Sequence, residues 1–383
     1  MHLPDYRGGS IVNLMSSIGA ALGAKMPYPE LRILPSKELR NSKNILLMVI
    51  DGLGFEYLMK KHGSFLKDNT RGRITSVFPP TTAAGVTTFL TGVAVQQHAL
   101  TGWFMFLKEI GILSRILPFV PRVGKEPFDK HGVDIKDILE VESFTSKINR
   151  KAFVINPKIL IQSAFTKTTS KKAKIEGYKN LDNFFNKVTK TIRLPGKKYV
   201  YAYWPDIDSF SHEFGVGSSK HEKHFKEIDK KIKKFIDKIN GTNTKVIITA
   251  DHGLTNTPTD KVILLKDHPK LLECLTMPRS GEGRLAYFYV HPSKARQFEW
   301  YVKTHLDKYC WMYKGEELIA KNFFGLGAPN KKLFDRIGDY ILVMKENYIM
   351  KDVLLGEHEN KNIGHHGGVS KDEIYVPLIV LNC

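Results

Sequence analysis

The stretch "KKYVYAYWPDIDSFSHEFG" (Lys197–Gly215) changes character at its middle, and that change decides the fold. Through Trp204 it is an unbroken apolar and aromatic run rather than an alternation. This is the pattern of a strand covered on both faces, and so of a largely parallel sheet enclosed by helices. Pro205 interrupts the run, and Asp208 and His212 follow four residues apart, which brings both side chains to one side of a helical turn. Two other runs end the same way: "NILLMVI" leads into Asp51, and "KVIITA" into Asp251 and His252. "RITSVF" (Arg73–Phe78), "KAFVI" (Lys151–Ile155) and "YVPLIVL" (Tyr375–Leu381) read as further strands. In such α/β sheets ligands gather beyond the carboxyl ends of the strands, where these polar residues lie.

The 383 residues, 42% of them hydrophobic, are enough for one large α/β core with an insertion. Between Lys261 and Glu357 the texture changes to an alternating strand, "GRLAYFYVHP", and an amphipathic helix, "ARQFEWYVKTHLDKYCW". We expect residues 1–260 and 357–383 to form the core and 261–356 an inserted smaller α+β subdomain. Cys274, Cys310 and Cys383, odd in number and far apart, make no disulfide framework, and the expectation is a cytoplasmic protein. No stretch is long and apolar enough for a membrane span. "IVNLMSSIGAALGA" (Ile11–Ala24) follows a segment with one arginine and an aspartate, unlike a signal peptide. It reads as a helix capped by Ser10.

The net charge of +19 is carried mostly by lysines, densest in "KTTSKKAKIEGYK" and "HEKHFKEIDKKIKKFIDKIN". In the second run Phe225, Ile228, Ile232, Phe235 and Ile239 share one helical face, which leaves the lysines on a solvated one. A basic field also draws phosphorylated substrates or nucleic acid, so a nucleic-acid-binding protein with a structural metal site is the alternative from another class.

Asp51, Asp208, His212, Asp251, His252 and His366 (in "GHHGG") offer oxygen and imidazole donors from four separate strand ends or loops. Asp with His suits zinc, manganese or iron better than magnesium or calcium. Three of each are too many for one tetrahedral ion with an open position, and right for two ions. "FPPTTAAGVTTFLTG" (Phe78–Gly92) adds a hydroxyl cluster, with Ala83–Thr91 reading as a short helix closed by Gly92 and Thr81 and Thr82 at its mouth.

In motif order, in the spacing inside each motif and in strand context from Asp51 to His366, the chain resembles the alkaline phosphatase superfamily, and within it the type I phosphodiesterase/nucleotide pyrophosphatase family. The resemblance implies an alkaline-phosphatase-like core and a metal-dependent phosphoric ester hydrolase. It implies one divalent cation held by Asp51, Thr82, Asp251 and His252 and a second held by Asp208, His212 and His366. Thr82 falls at the nucleophile position, which implies a phosphothreonine intermediate. The expected substrate is a small phosphate ester or nucleotide, the alternative on the same fold is a phosphomonoesterase, and the expected metal is zinc, with manganese or iron as alternatives. Where the family places an asparagine twenty-one residues after the nucleophile, this chain has Trp103. Arg284 reads as a surface arginine at a strand start, with a replacement donor as the alternative; Trp103 is a candidate substrate contact, and His365 and Asp206 are candidate supporting residues.

Overall fold

The computed structural model describes residues 1–359 and 361–383. Its centre is a seven-stranded sheet: β1 (Asn44–Ile50), β2 (Thr70–Thr75), β3 (Lys151–Pro157), β4 (Ala173–Tyr178), β5 (Lys198–Trp204), β6 (Thr244–Thr249) and β7 (Tyr375–Asn382), in the order β2-β7-β6-β1-β5-β3-β4. β1 pairs in parallel with β5 and β6, and β3 in parallel with β5 and β4. β7 runs antiparallel to both its neighbours. β1 and β5 are buried at every position, as their unbroken apolar runs require of strands with helices on both faces.

Helix α1 (Ile11–Ala21) begins after Ser10, as expected, and every residue from Ile11 to Gly19 is buried. Its polar residues are matched inside: Asn13 Nδ2 donates to the carbonyls of Tyr6 (2.9 Å) and Pro29 (2.8 Å), and Ser17 Oγ accepts from Leu31 N. Helix α2 (Thr82–Thr91) starts one residue earlier than the reading from Ala83 and ends on Gly92, whose φ of 74° suits a residue without a Cβ. Three further helices are α3 (Leu181–Arg193), α4 (Asp206–Phe214) and α5 (Ser219–Ile239). On α5 the buried residues include Phe225, Ile228, Ile232, Phe235 and Ile239, and its lysines lie on the outer side. Among the described residues no helix is long and apolar enough to cross a membrane.

A second, antiparallel sheet lies over the carboxyl ends of the first. Its seven strands come in the order 310–314, 340–344, 285–288, 280–281, 104–107, 112–115 and 120–121. Three of them come from the 104–121 stretch, so this layer draws on two parts of the chain and not on the 261–356 segment alone. Those three strands are two to four residues long, too short for their alternation to be legible.

Arg284 ties the two layers together, in a place the sequence did not indicate. It is buried, with Nε 3.0 Å and Nη2 2.8 Å from the carboxylate of Glu373, and its other donors reach the carbonyls of Tyr348 and Glu346, 2.6 Å each. Glu373 also accepts from Gly368 N (2.8 Å) and Ser370 Oγ (2.6 Å), just beyond His366.

Glu373→Ala leaves the Arg284 charge buried without its counter-charge and is expected to cost about 3–5 kcal/mol, read as a lower urea midpoint. Burial alone would raise the Glu373 carboxyl, but Arg284, Ser370 and Gly368 outweigh it and hold it below its ordinary 4.5. A depressed folded-state value stabilises fully above the unfolded one, and the benefit is lost as pH falls through the folded one. The gap between parent and variant therefore narrows on acidification, which urea titrations at neutral and acid pH will show.

Candidate active site

Three neighbouring strands deliver three acids. β5, β1 and β6 lie side by side, with Ile50 opposite Trp204 and Val49 opposite Thr249, so the residues that follow them emerge together. Asp51 follows β1; Asp251 and His252 follow β6; Asp208 and His212 ride on α4 just after β5. Asp51 N donates to Trp204 O (2.9 Å), and Gly52 N to Asp251 Oδ1 (3.3 Å), which fixes the turns against one another. His366 arrives from the far end of the chain, because Gly364 and His365 pair antiparallel with Asn256 and Thr255, just beyond the Asp251–His252 loop.

Close backbone approach makes two glycines necessary here. A Cβ on Gly364 would lie 2.3 Å from Ser211 O, and one on Gly85 of α2 would lie 2.7 Å from the Asp251 Cβ. The first contact sets Gly364 O 2.7 Å from His212 Nδ1, which leaves the other ring nitrogen facing Asp208.

The ligand atoms of Asp51, Asp251 and His252 lie within 4.8 Å of one another, as do those of Asp208, His252 and His366. His252 Nε2 stands 3.4 Å from Asp51 Oδ1, 3.5 Å from Asp251 Oδ2 and 3.1 Å from the hydroxyl of Thr82. His212 Nε2 is 3.3 Å from Asp208 Oδ2, and His366 Nε2 is 4.0 Å from Asp208 Oδ1. His252 thus stands between the two groups, its ring stacked 3.9 Å from that of His366.

Electrostatically this is a costly arrangement for the protein alone. Burial, and then the charges of Asp251 and Asp208, push the Asp51 carboxyl well above its ordinary range; burial chiefly raises Asp208 as well. Burial, then the neighbouring rings of His252 and His212, push His366 well below its ordinary value. Asp51 Oδ1, Asp208 Oδ1 and Asp251 Oδ2 are buried and accept no hydrogen bond among the described residues. Buried carboxylate oxygens without donors, facing imidazole nitrogens, are the donor set of a divalent-cation site, so the residues present fit such ions.

The site opens into a cavity of about 420 Å³ whose lining includes Thr82, Asp208, His212 and His366 on one side and Trp103, Arg122, Arg279 and Glu282 on the other. Thr81 stands at the cap position of α2 but makes no capping bond; its hydroxyl instead donates to Glu282 Oε1 at 2.6 Å. Trp103 lines the cavity, and its backbone N donates to the same oxygen at 2.7 Å. Burial raises the Glu282 carboxyl.

Other expected residues fall elsewhere. Arg284 is not a free donor toward the cavity, and not a surface residue either, because Glu373 and two carbonyls take its guanidinium. Asp206 lines a separate surface hollow with Tyr178, Trp204 and His224. His365 borders the cavity with its Nε2 3.0 Å from Asn362 O. Tyr203, which hydrogen-bonds Asp51 Oδ2, and the Arg122–Asp352–Glu357 cluster on the cavity wall were not anticipated. Tyr203 was hidden in the apolar run of β5, whereas Glu282, Arg122 and Asp352 lie in turns with no motif around them.

The family model described as type I phosphodiesterase / nucleotide pyrophosphatase matches residues 45–368. Among solved structures, the fold is similar to murine ectonucleotide pyrophosphatase / phosphodiesterase 5 in an inactive threonine-to-alanine form in complex with AMP (TM-score 0.63, 15% identity, 87% of each chain covered). The human ectonucleotide pyrophosphatase / phosphodiesterase 5 gives a TM-score of 0.63 at 16% identity, covering 88% of this chain and 87% of that one. Phosphonoacetate hydrolase from Sinorhizobium meliloti 1021 in complex with phosphonoformate gives 0.61 at 18% identity, covering 88% and 89%. No curated protein matches the chain.

In chelator-treated protein, Asp51→Asn is expected to stabilise the fold near neutral pH by about 1–3 kcal/mol, since it removes one of the buried like charges. A raised folded-state value stabilises below the unfolded 3.8 and loses that benefit as pH rises through the folded value. The advantage of Asp51→Asn therefore shrinks as pH falls, a trend that urea midpoints across a pH series will reveal.

Proposed function

The chain belongs to the type I phosphodiesterase / nucleotide pyrophosphatase family, a family of phosphoric ester hydrolases, and from that premise we propose that it cleaves phosphate diesters through a phosphothreonine on Thr82. One observation carries this reading: the Thr82 hydroxyl lines the cavity beside Asp208 and stands 3.1 Å from His252, which in turn faces the buried carboxylates of Asp51 and Asp251. Asp51, Thr82, Asp251 and His252 would hold one divalent cation, and Asp208, His212 and His366 a second. Zinc suits these donors, with manganese or iron as alternatives. When bound, such ions neutralise the carboxylates, lower the pKa of an alcohol and stabilise charge on phosphoryl oxygens.

This chain's own residues supply the rest. The first turn of α2 orients the Thr82 oxygen beside His252, and the positive end of that helix faces the phosphoryl group. Thr82 Oγ1 bonds to phosphorus as the bond to the departing alcohol breaks, and that alcohol carries away the threonine proton. Water then cleaves the phosphothreonine, restores the Thr82 hydroxyl and releases a phosphate monoester. The AMP held by the murine relative supports a substrate with a nucleotide-like part. The carbonyl of Gly364 holds the His212 ring, and Tyr203 holds Asp51, so neither side chain has to be ordered during turnover.

The test is hydrolysis of bis-para-nitrophenyl phosphate by metal-reconstituted protein. Thr82→Ala is expected to lower kcat by about a thousandfold or more with little change in metal content, and chelation to abolish turnover. Acid-quenched parent should carry a nitrophenylphosphoryl group on the peptide containing Thr82, since one nitrophenol leaves on attack and the other stays on phosphorus. Equal rates for parent and Thr82→Ala would remove the threonine from the mechanism.

A further inference from the structure

Glu282 occupies a place that the hydrolase reading leaves unexplained. It sits in the turn between the strands at 280–281 and 285–288 of the second sheet and faces the Thr82 side of the cavity. Its Oε1 is fixed by two donors, Thr81 Oγ1 at 2.6 Å and Trp103 N at 2.7 Å, while among the described residues its Oε2 accepts no hydrogen bond, and the side chain lines the cavity. Its neighbours are small where it passes. A Cβ on Gly367, next to His366, would lie 3.1 Å from Glu282 Cβ and Cγ, and one on Gly102 would lie 3.5 Å from Oε1. The carboxylate is thus held in one position beside the residue preceding the nucleophile.

Lys351 lines the same cavity, together with Arg122 and Arg279. Among the described residues Glu282 takes part in no ion pair, and the two arginines of the same cavity are engaged elsewhere. Arg122 bonds Asp352 at 2.9 Å and Glu357 at 2.8 Å; Arg279 pairs through Nε with Asp352 at 2.8 Å and gives Nη1 to the backbone oxygen of Glu282. Thr82, Thr81 and Glu282 line one cavity, so a phosphoryl group attacked by Thr82 enters the space that the carboxylate bonded to Thr81 also borders. At position 103, where the resemblance places an amide side chain, this chain instead turns a backbone N–H toward an acid.

We propose that Glu282 is a specificity-determining residue that admits the single charge of a phosphate diester and disfavours the second charge of a monoester. A diester presents one negative charge and turns its second substituent outward. A monoester near neutral pH adds a further anionic oxygen, which has no arginine to receive it and a fixed carboxylate to repel it. The same repulsion speeds departure of the monoester product.

The inference rests on the hydrolase reading, and the experiment separates the two. Metal-reconstituted parent, Glu282→Gln and Glu282→Asp are compared on bis-para-nitrophenyl phosphate and para-nitrophenyl phosphate at about pH 8, where the monoester carries its second charge. Glutamine keeps an acceptor for Thr81 and Trp103 and removes the charge; aspartate keeps the charge. The expected result is a parent that favours the diester, and a ratio of monoester to diester kcat/KM that rises at least about tenfold in Glu282→Gln but stays low in Glu282→Asp. Inhibition by inorganic phosphate should tighten in parallel in Glu282→Gln. A parent that cleaves the monoester as well as the diester overturns the inference without any variant. So does a folded Glu282→Gln, judged by its melting temperature, in which both substrates change alike, the mark of a merely structural role. A parent inert toward both substrates overturns the hydrolase reading itself, and this inference with it.

Discussion

Mutual repulsion among Asp51, Asp208 and Asp251 is the constraint around which the molecule is arranged. All three are buried, and each leaves one oxygen without a hydrogen-bond donor among the described residues. Only a rigid support holds like charges so close, and here it is three adjacent strands whose registers are locked along their whole length. The hydrophobic content of β1, β5 and β6 therefore stabilises the fold and also holds the acids in place against their own field. Stability given up at the strand ends is recovered in the layers beneath, as is common where a site is organised ahead of its ligands.

The second sheet completes this arrangement from above. It supplies Glu282 and the aromatic edge at Trp103 and Phe104, and Arg284 fastens it to the loop that carries His366. Arg122, Arg279, Asp352 and Glu357 form a nearly neutral cluster at the cavity wall. Such a cluster fixes the relative position of three chain segments, yet it adds little net charge to the interior. The field inside is then set chiefly by the acids and whatever opposes them.

What the sequence displayed was its periodicity and its strand ends. The apolar runs before Asp51, Asp208 and Asp251 were legible because burial on both faces demands them, and the i,i+4 spacing of Asp208 and His212 because a helical turn does. His366 was legible through its glycine-rich loop, for which Gly364 gives the reason: no other residue fits against Ser211. Glu282 was not legible, since its role arises from two hydrogen bonds across about two hundred residues. Arg284 was misread because an arginine at a strand start looks the same in sequence whether it meets water or a buried glutamate. The short strands at 104–121 were hidden because two to four residues carry no period.

β7, the final strand in the order of the chain, lies inside the central sheet, between β2 and β6. During synthesis the other six central strands therefore leave the ribosome before the strand that separates β2 from β6. Until then the nascent protein carries two bare strand borders on either side of a gap, and His366 with its loop is also still to be delivered. Those borders are the kind of exposed edge on which unfinished chains pair with one another.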